Sequence, residues 1–173
     1  MRFNTAKQKM LEGQPAIGAA ACLGSPLAAE ILAKAGADYV MIDDQHGIRE
    51  PVSIMAAFGA MLDRGALGIV VPMVHTAADA EAAVYATRYQ PGGSRSIGAY
   101  GSVMYGADYM NWADEDVFLA VQIESRQGLE NVEAIMAVEG VDGCWIGPAD
   151  LAASMRLDLS RPADKNIPRA IMI

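Results

Sequence analysis

The sequence has few basic residues. Its 173 residues include 13 Lys and Arg against 21 Asp and Glu, which gives a formal net charge of −8. Because nucleic-acid-binding proteins present basic patches to the phosphate backbone, this balance argues against a nucleic-acid partner. No apolar run approaches the roughly 18 residues that a membrane span requires, and the N-terminal stretch does not have the pattern of a signal peptide. We therefore expect no membrane partner and a cytoplasmic location.

Cysteine and charged residues are also scarce. The two cysteines, Cys22 and Cys144, lie in apolar runs without an adjacent base, which is typical of reduced structural thiols. Charged residues make up 20% and hydrophobic residues 53% of the chain, a balance that favours a packed core over disorder. The sequence has no Walker-type phosphate motif, and no glycine fingerprint for a dinucleotide follows a predicted strand.

Apolar runs of strand length alternate with Ala-rich helical stretches along the chain. The runs are continuously apolar, as in parallel strands that are buried on both faces. The sequence therefore predicts a single α/β domain over residues 1–173 with a parallel sheet, either open or closed into a barrel. The predicted strands are 16–23, 38–43, 67–74, 117–124 and 143–148, and the predicted helices are 25–36, 51–65, 77–88, 129–138 and a short helix from Asp150 onward.

The interval 88–112 interrupts this alternation. It is rich in Gly, Ser and Tyr and shows no helical pattern, and a loop of about 25 residues is long for a compact domain. Tyr89, Tyr100, Tyr105 and Tyr109 are unusual for a flexible linker. The interval is therefore predicted to be a lid or a binding loop, with a plain linker as the alternative.

Acidic residues follow two of the predicted strands. In parallel α/β folds ligands bind at the carboxyl ends of the strands, and Glu124 ends the fourth run while Asp150 follows the fifth. Two carboxylates from adjacent strand ends, with positions left for water and substrate, suit an octahedral Mg²⁺ or Mn²⁺. The alternative from the residues alone is that Asp150 only caps a helix and that Glu124 pairs with Arg126.

Histidine offers two candidate bases. His46 lies in the polar turn after the second run, where Asp43 can orient it as a general base, and a plain loop histidine is the alternative. His75 follows the third run but lacks an adjacent acid, so it ranks below His46. The turn from Gly147 to Asp150 also presents backbone N–H groups that suit a substrate carboxylate, although such strand-to-helix turns are common.

Five motifs carry a family resemblance. They are IDDQHG at 42–47, VPMV at 71–74, RYQPGGSR at 88–95, VQIE at 121–124 and VEGVDGCWIGPADL at 138–151. Single motifs are not specific, but in this order and combination they resemble the HpcH/HpaI aldolases. That family includes 4-hydroxy-2-oxoheptanedioate aldolase and 2-dehydro-3-deoxyglucarate aldolase.

The resemblance implies a (β/α)₈ barrel of the TIM type and a class II aldolase, a carbon–carbon lyase that uses Mg²⁺, Mn²⁺ or Co²⁺. Such an enzyme forms or cleaves aldols of 2-keto acids, with pyruvate as donor and an aldehyde as acceptor, through an enolate that the metal stabilises. A homo-oligomer, hexameric or dimer-based, is also implied. The roles implied by motif are metal binding for Glu124 and Asp150, acid/base catalysis for His46 with Asp43, and substrate binding for Gln122, Gly147, Ala149 and Asp150.

The sequence departs from the family in length. A chain of 173 residues is short for a complete barrel, which typically has about 250. Compared with family members, about 20–25 residues are missing before the run at 67–74, including a strand and a substrate-binding Arg. The last strands of the family are also not found. The predicted barrel is therefore incomplete in this chain. In addition, Gln45 stands where relatives usually have Glu. Two alternatives follow: an acyl-CoA lyase of the same superfamily, although basic CoA-binding features are not visible, or a non-catalytic, incomplete subunit that binds metal and keto acid.

Overall fold

The computed structural model describes residues 4–21, 31, 35–42, 62, 66–97 and 106–157. The chain divides into two compact units, Met1–Ser53 and Ile54–Ile173. None of the helices in these described ranges is long and apolar enough to cross a membrane. The predicted site residues that the structure describes all belong to the second unit.

The first unit contains a helix and a pair of parallel strands, and the strands agree with the first two predicted runs. The Asp38 carboxylate joins these elements, because it accepts hydrogen bonds from the Lys9 ammonium and the Ile17 amide. Both bonds lower the pKa of Asp38, the Lys9 bond more strongly. The elements are helix α1 (Thr5–Leu11), strand β1 (Gly18–Ala21) and strand β2 (Tyr39–Ile42).

The second unit is built on a parallel three-stranded sheet. Its strands are β3 (Gly68–Val71), β4 (Phe118–Ile123) and β5 (Gly143–Ile146), in the spatial order β3–β4–β5. This confirms the predicted parallel strands in this part of the chain. Because the strands are parallel, the residues that follow them gather at one edge of the sheet.

The helices of the second unit whose bounds the structure describes are short, and the first of these is the most firmly capped. The Thr76 hydroxyl accepts a hydrogen bond from the Asp79 amide, and the Asp79 carboxylate accepts bonds from the Thr76 hydroxyl and amide and from the His75 amide. These bonds, above all the one from the Thr76 hydroxyl, lower the pKa of Asp79. The helices are α2 (Ala77–Thr87), α3 (Tyr109–Asp116), α4 (Arg126–Glu130), α5 (Val132–Met136) and α6 (Pro148–Ser154).

Two helices differ in extent from the prediction. Where the sequence predicts one helix over 129–138, the structure has α4 and α5, separated at Asn131. The Asn131 side-chain amide donates a hydrogen bond to the His75 carbonyl, so a tertiary contact holds this break. Helix α6 begins at Pro148 rather than at Asp150, because proline has the backbone conformation of the first helical position and lacks the N–H that would be unpaired there.

The main core of the second unit contains side chains from the sheet and from α2 and α5. Alanines form the buried face of α2, and small side chains allow a helix to approach its neighbours closely. The buried members of this core are Leu62, Ile69, Val71, Val74, Ala80, Ala83, Ala86, Val117, Leu119, Val121, Ile123 and Ile135.

The described parts of the interval 88–112, for which the sequence predicts a lid or a binding loop without a helix, contain buried residues and the start of a helix. Helix α3 begins inside the interval, and Tyr89, Tyr109 and Trp112 form a second buried cluster with edge-to-face ring contacts. The guanidinium of buried Arg95 lies 4.2 Å from the centroid of the Tyr89 ring and donates a hydrogen bond to the Tyr109 hydroxyl. These tyrosines are core residues, and residues 98–105 of the interval lie outside the described ranges.

Candidate active site

Glu124 is the first residue after β4, and only 2% of it is exposed. Its Oε1 accepts a hydrogen bond of 2.8 Å from the Met73 backbone amide, and its Oε2 accepts one of 2.6 Å from the Gln122 side-chain amide. The Arg126 guanidinium instead donates to the Met155 carbonyl, and the described residues include no ion pair between Arg126 and Glu124. The alternative in which Glu124 pairs with Arg126 is therefore wrong.

Gly147 follows β5 and lies directly against this carboxylate. A Cβ at this position would lie 2.5 Å from Oε2 of Glu124, 2.8 Å from its Cβ and 3.0 Å from Nε2 of Gln122. Contacts this short require the neighbouring atoms to move. The absence of a side chain at Gly147 is thus what lets the end of β5 approach the carboxylate at the end of β4.

Ala149 and Asp150 lie in the first turn of α6, and both are exposed. The first backbone bond within this helix runs from the Leu151 amide to the Gly147 carbonyl. The amides of Ala149 and Asp150 therefore have no acceptor within the helix. Gly147 is the capping residue of α6, and no side chain caps this helix. Asp150 is thus not the cap, and it is an exposed residue four positions after the end of β5.

His75 is placed by the same strand ends. Its Nδ1 lies 2.7 Å from the hydroxyl of Ser125, the residue after Glu124. The Ser125 hydroxyl also accepts the Gly128 amide as the N-cap of α4. Through these bonds His75 helps to fix the turn that follows Glu124. They do not alter the prediction that His46 is the better candidate base.

Met73 contributes to the site although its residue type does not indicate this. Its amide binds Glu124, the residue is 46% exposed, and its φ of 56° lies in the left-handed region. A residue other than glycine is uncommon there, and Met has no preference for that region. The only signal in the sequence is the place of Met73 in the VPMV motif.

The donor set suits a hard divalent cation. The described residues contain no group of three or more His, Cys, Asp or Glu side chains that could hold a metal ion. Mg²⁺ is commonly held by one or two carboxylates, with water and substrate oxygens completing its shell. Within the described part of the chain, each Glu124 oxygen accepts one hydrogen bond and keeps lone-pair capacity for a cation. By ligand type, the carboxylates of Glu124 and Asp150 suit a cation such as Mg²⁺.

Two predicted site residues, His46 and Asp43, lie outside the described residues, as does Gln45. Cys144 is half-buried in β5, and burial raises the pKa of its thiol. A raised thiol pKa disfavours the nucleophilic thiolate, in agreement with the structural role predicted for Cys144.

Comparison with known proteins gives matches over most of the chain. The family model described as HpcH/HpaI aldolase/citrate lyase matches residues 50–167. The hydroxypyruvate/pyruvate aldolase of Pseudomonas aeruginosa is 39% identical, and the alignment covers 88% of this chain and 66% of that relative. The 4-hydroxy-2-oxovalerate aldolase of Rhodococcus jostii (strain RHA1) is 37% identical over 98% of this chain and 75% of that relative. The chain thus spans about two thirds to three quarters of the length of these relatives.

A solved structure shows the same fold. A family protein of the HpcH/HpaI aldolase/citrate lyase type from Burkholderia cenocepacia J2315 matches with a TM-score of 0.80 and 33% identity, over 93% of this chain and 76% of that one. The predicted fold class, a parallel α/β fold of the (β/α)₈ barrel type, is thereby confirmed. The R. jostii alignment is 195 positions long, whereas 98% of 173 residues is about 170, so about 25 positions have no counterpart here. This number agrees with the size of the segment predicted to be missing.

Proposed function

The chain belongs to the HpcH/HpaI aldolase/citrate lyase family, and we propose that it is a divalent-metal-dependent aldolase with pyruvate or a close analogue as donor. The relatives named above are aldolases of hydroxypyruvate/pyruvate and of 4-hydroxy-2-oxovalerate, which are 2-keto acids. The observation that carries the proposal is the Glu124 carboxylate, which is buried and, among the described residues, is bound on each oxygen by a single neutral donor. A buried carboxylate without a cationic partner is costly, and a bound cation supplies that partner.

The proposed ligands of the cation are Glu124 and Asp150, and the candidate ions are Mg²⁺, Mn²⁺ and Co²⁺. When bound, such an ion supplies a Lewis acid that stabilises the enolate of the keto acid. Gln122 holds Oε2 of Glu124 in place and lines the substrate site beside Gly147. The amides of Ala149 and Asp150, which have no acceptor within α6, would donate hydrogen bonds to the carboxylate of the donor.

Proton transfer is assigned to His46. We propose that its imidazole removes and returns the proton during carbon–carbon bond cleavage and formation, and that Asp43 orients the ring. This assignment rests on the IDDQHG motif alone. Family membership supports three further parts of the proposal: an aldehyde as acceptor, a homo-oligomeric assembly and a cytoplasmic location.

A second candidate function is that of an incomplete subunit that binds metal and keto acid but turns over slowly. The roughly 25 positions of the R. jostii aldolase that have no counterpart here favour this candidate. A predicted consequence is the loss of a substrate-binding Arg. The two candidates share the metal site and differ in catalysis.

Exchange of the pyruvate methyl protons in deuterated water tests the proposal without the need to know the acceptor. We expect NMR to show exchange that depends on Mg²⁺, Mn²⁺ or Co²⁺ and disappears in Glu124→Ala. Glu130→Ala, the same change at an exposed position of α4, serves as the matched control and should exchange like the wild type. His46→Ala should bind metal normally and exchange slowly. Metal binding without exchange would favour the incomplete subunit, and exchange that survives in Glu124→Ala would contradict the proposed ligand.

A further inference from the structure

The ladder between β3 and β4 ends in a bulge. Strand β3 pairs with β4 in a register that sets Val71 opposite Val121. If this parallel register continued, the amide of Met73 would donate to the Gln122 carbonyl. The Val74 amide occupies that place instead, at 3.4 Å. One extra residue is thus inserted on the β3 side, which is the definition of a β-bulge, and bulges are frequent beside active sites.

The bulge releases the Met73 amide from the sheet. This amide donates to Oε1 of Glu124 at 2.8 Å, and the φ of 56° at Met73 lets the chain return to the core within one residue. The conformation is held from both sides, because Val71 and Val74 are buried and Val74 is bonded to β4. A residue other than glycine keeps a left-handed backbone conformation only where its surroundings enforce it.

We propose that Met73 is a positioning residue whose backbone, through its left-handed conformation, aims an amide at Oε1 of Glu124 and so sets the orientation of that carboxylate for a divalent cation. This inference rests on the proposed function, because it takes Glu124 as a metal ligand. We assign this role to the backbone amide rather than to the side chain of a residue that is nearly half exposed. The two carboxylate oxygens are thus held by different groups. The backbone amide of Met73, just after β3, holds Oε1, and the side chain of Gln122 in β4 holds Oε2.

Substitutions at Met73 separate the backbone from the side chain. Glycine and asparagine adopt positive φ readily, so Met73→Gly and Met73→Asn keep the amide on Glu124 although both remove the thioether. Valine is branched at Cβ and resists positive φ, so Met73→Val draws the amide away from the carboxylate. Met73→Ala disfavours the left-handed conformation more mildly and is the second test should Met73→Val fail to fold.

Arg156 provides a matched control for backbone strain. It is the other described residue with positive φ that is not glycine, at 58°, and it is exposed after the end of α6. Its amide donates to the Ala153 carbonyl, away from Glu124. Arg156→Val therefore imposes the same backbone conflict as Met73→Val without touching the carboxylate.

The experiment is a Mn²⁺ titration of the full chain, followed by the electron paramagnetic resonance signal of free Mn²⁺, with urea unfolding of each variant in parallel. Loss of a hydrogen bond to a metal ligand typically costs 10–100-fold in metal affinity, so we expect Met73→Val to bind Mn²⁺ about tenfold or more weakly. Met73→Gly, Met73→Asn and Arg156→Val should bind it like the wild type, although Arg156→Val loses stability.

The outcomes distinguish this inference from the proposed function. The first case is that the wild type binds Mn²⁺ and Glu124→Ala does not, while Met73→Val and Met73→Ala both bind as tightly as Met73→Gly. In that case the positioning role of Met73 is wrong, and the proposed ligand Glu124 stands. Equal weakening in the Gly, Asn and Val variants at position 73 would assign the effect to the lost side chain and would also overturn the inference. A folded wild type that binds no Mn²⁺ would contradict both.

Discussion

Gly147→Ala is the substitution that the geometry of the site opposes most directly. The added Cβ would lie 2.5 Å from Oε2 of Glu124, whereas ordinary contacts begin at 3.4 Å, so the carboxylate would have to retreat by the difference of about 0.9 Å. A shift of this size away from the donors would lengthen the hydrogen bonds from Met73 and Gln122, now 2.8 and 2.6 Å long, to about 3.7 and 3.5 Å and so weaken both. Overpacking of this kind costs about 1–3 kcal/mol of folding free energy, and a displaced ligand should weaken metal binding by about 10–100-fold.

Gly143→Ala, at the start of the strand that Gly147 follows, is the matched control. There the added Cβ would meet only Cζ of Phe118, at an ordinary 3.5 Å. Calorimetric titration with Mn²⁺ and urea unfolding of both variants measure the two effects. We expect Gly143→Ala to match the wild type in affinity and nearly in stability. Wild-type affinity and stability in Gly147→Ala would refute the close approach of β5 to Glu124 on which the site is built.

Other predictions concern the stability of the second unit, measured by urea unfolding. Asp79→Ala removes the capping box of α2 and should cost about 1 kcal/mol at neutral pH. Because the folded state lowers the pKa of Asp79, this difference from the wild type should disappear as the pH falls through and below the ordinary carboxyl range. Tyr109→Phe deprives the buried Arg95 guanidinium of an acceptor and should cost about 1–3 kcal/mol, and an unchanged midpoint would contradict the contact. Gly140→Ala should cost at least about 1 kcal/mol, because φ is 96° and the Cβ would lie 2.9 Å from Val84, and a neutral effect would contradict that backbone.

The parallel strands and the buried carboxylate at the end of β4 could be predicted from the sequence because each has a local cause. Continuous apolar runs indicate strands buried on both faces, and a lone carboxylate at the end of such a run, as at Glu124, requires a partner. Thr76 followed by Asp79 indicates a capped helix start in the same way. The left-handed residue Gly36, at φ 94°, also follows from its type and place.

Features that arise from tertiary contacts could not be predicted. The break at Asn131 depends on a hydrogen bond to a carbonyl 56 residues away, at His75. The bulge at Met73 depends on how β3 meets β4, and methionine gives no local indication of positive φ. The local composition predicts a loop at Tyr89 and Tyr109, whereas their burial depends on their contacts with each other and with Arg95.

The most direct test of the proposed metal site is an anomalous-diffraction map of crystals that contain Mn²⁺ and pyruvate. We expect one strong peak per chain, within about 2.5 Å of carboxylate oxygens of both Glu124 and Asp150. The pyruvate should lie against that peak, with its carboxylate at the Ala149 and Asp150 amides. A peak that contacts neither Glu124 nor Asp150, or no peak in a crystal of folded protein with saturating Mn²⁺, would contradict the proposed site.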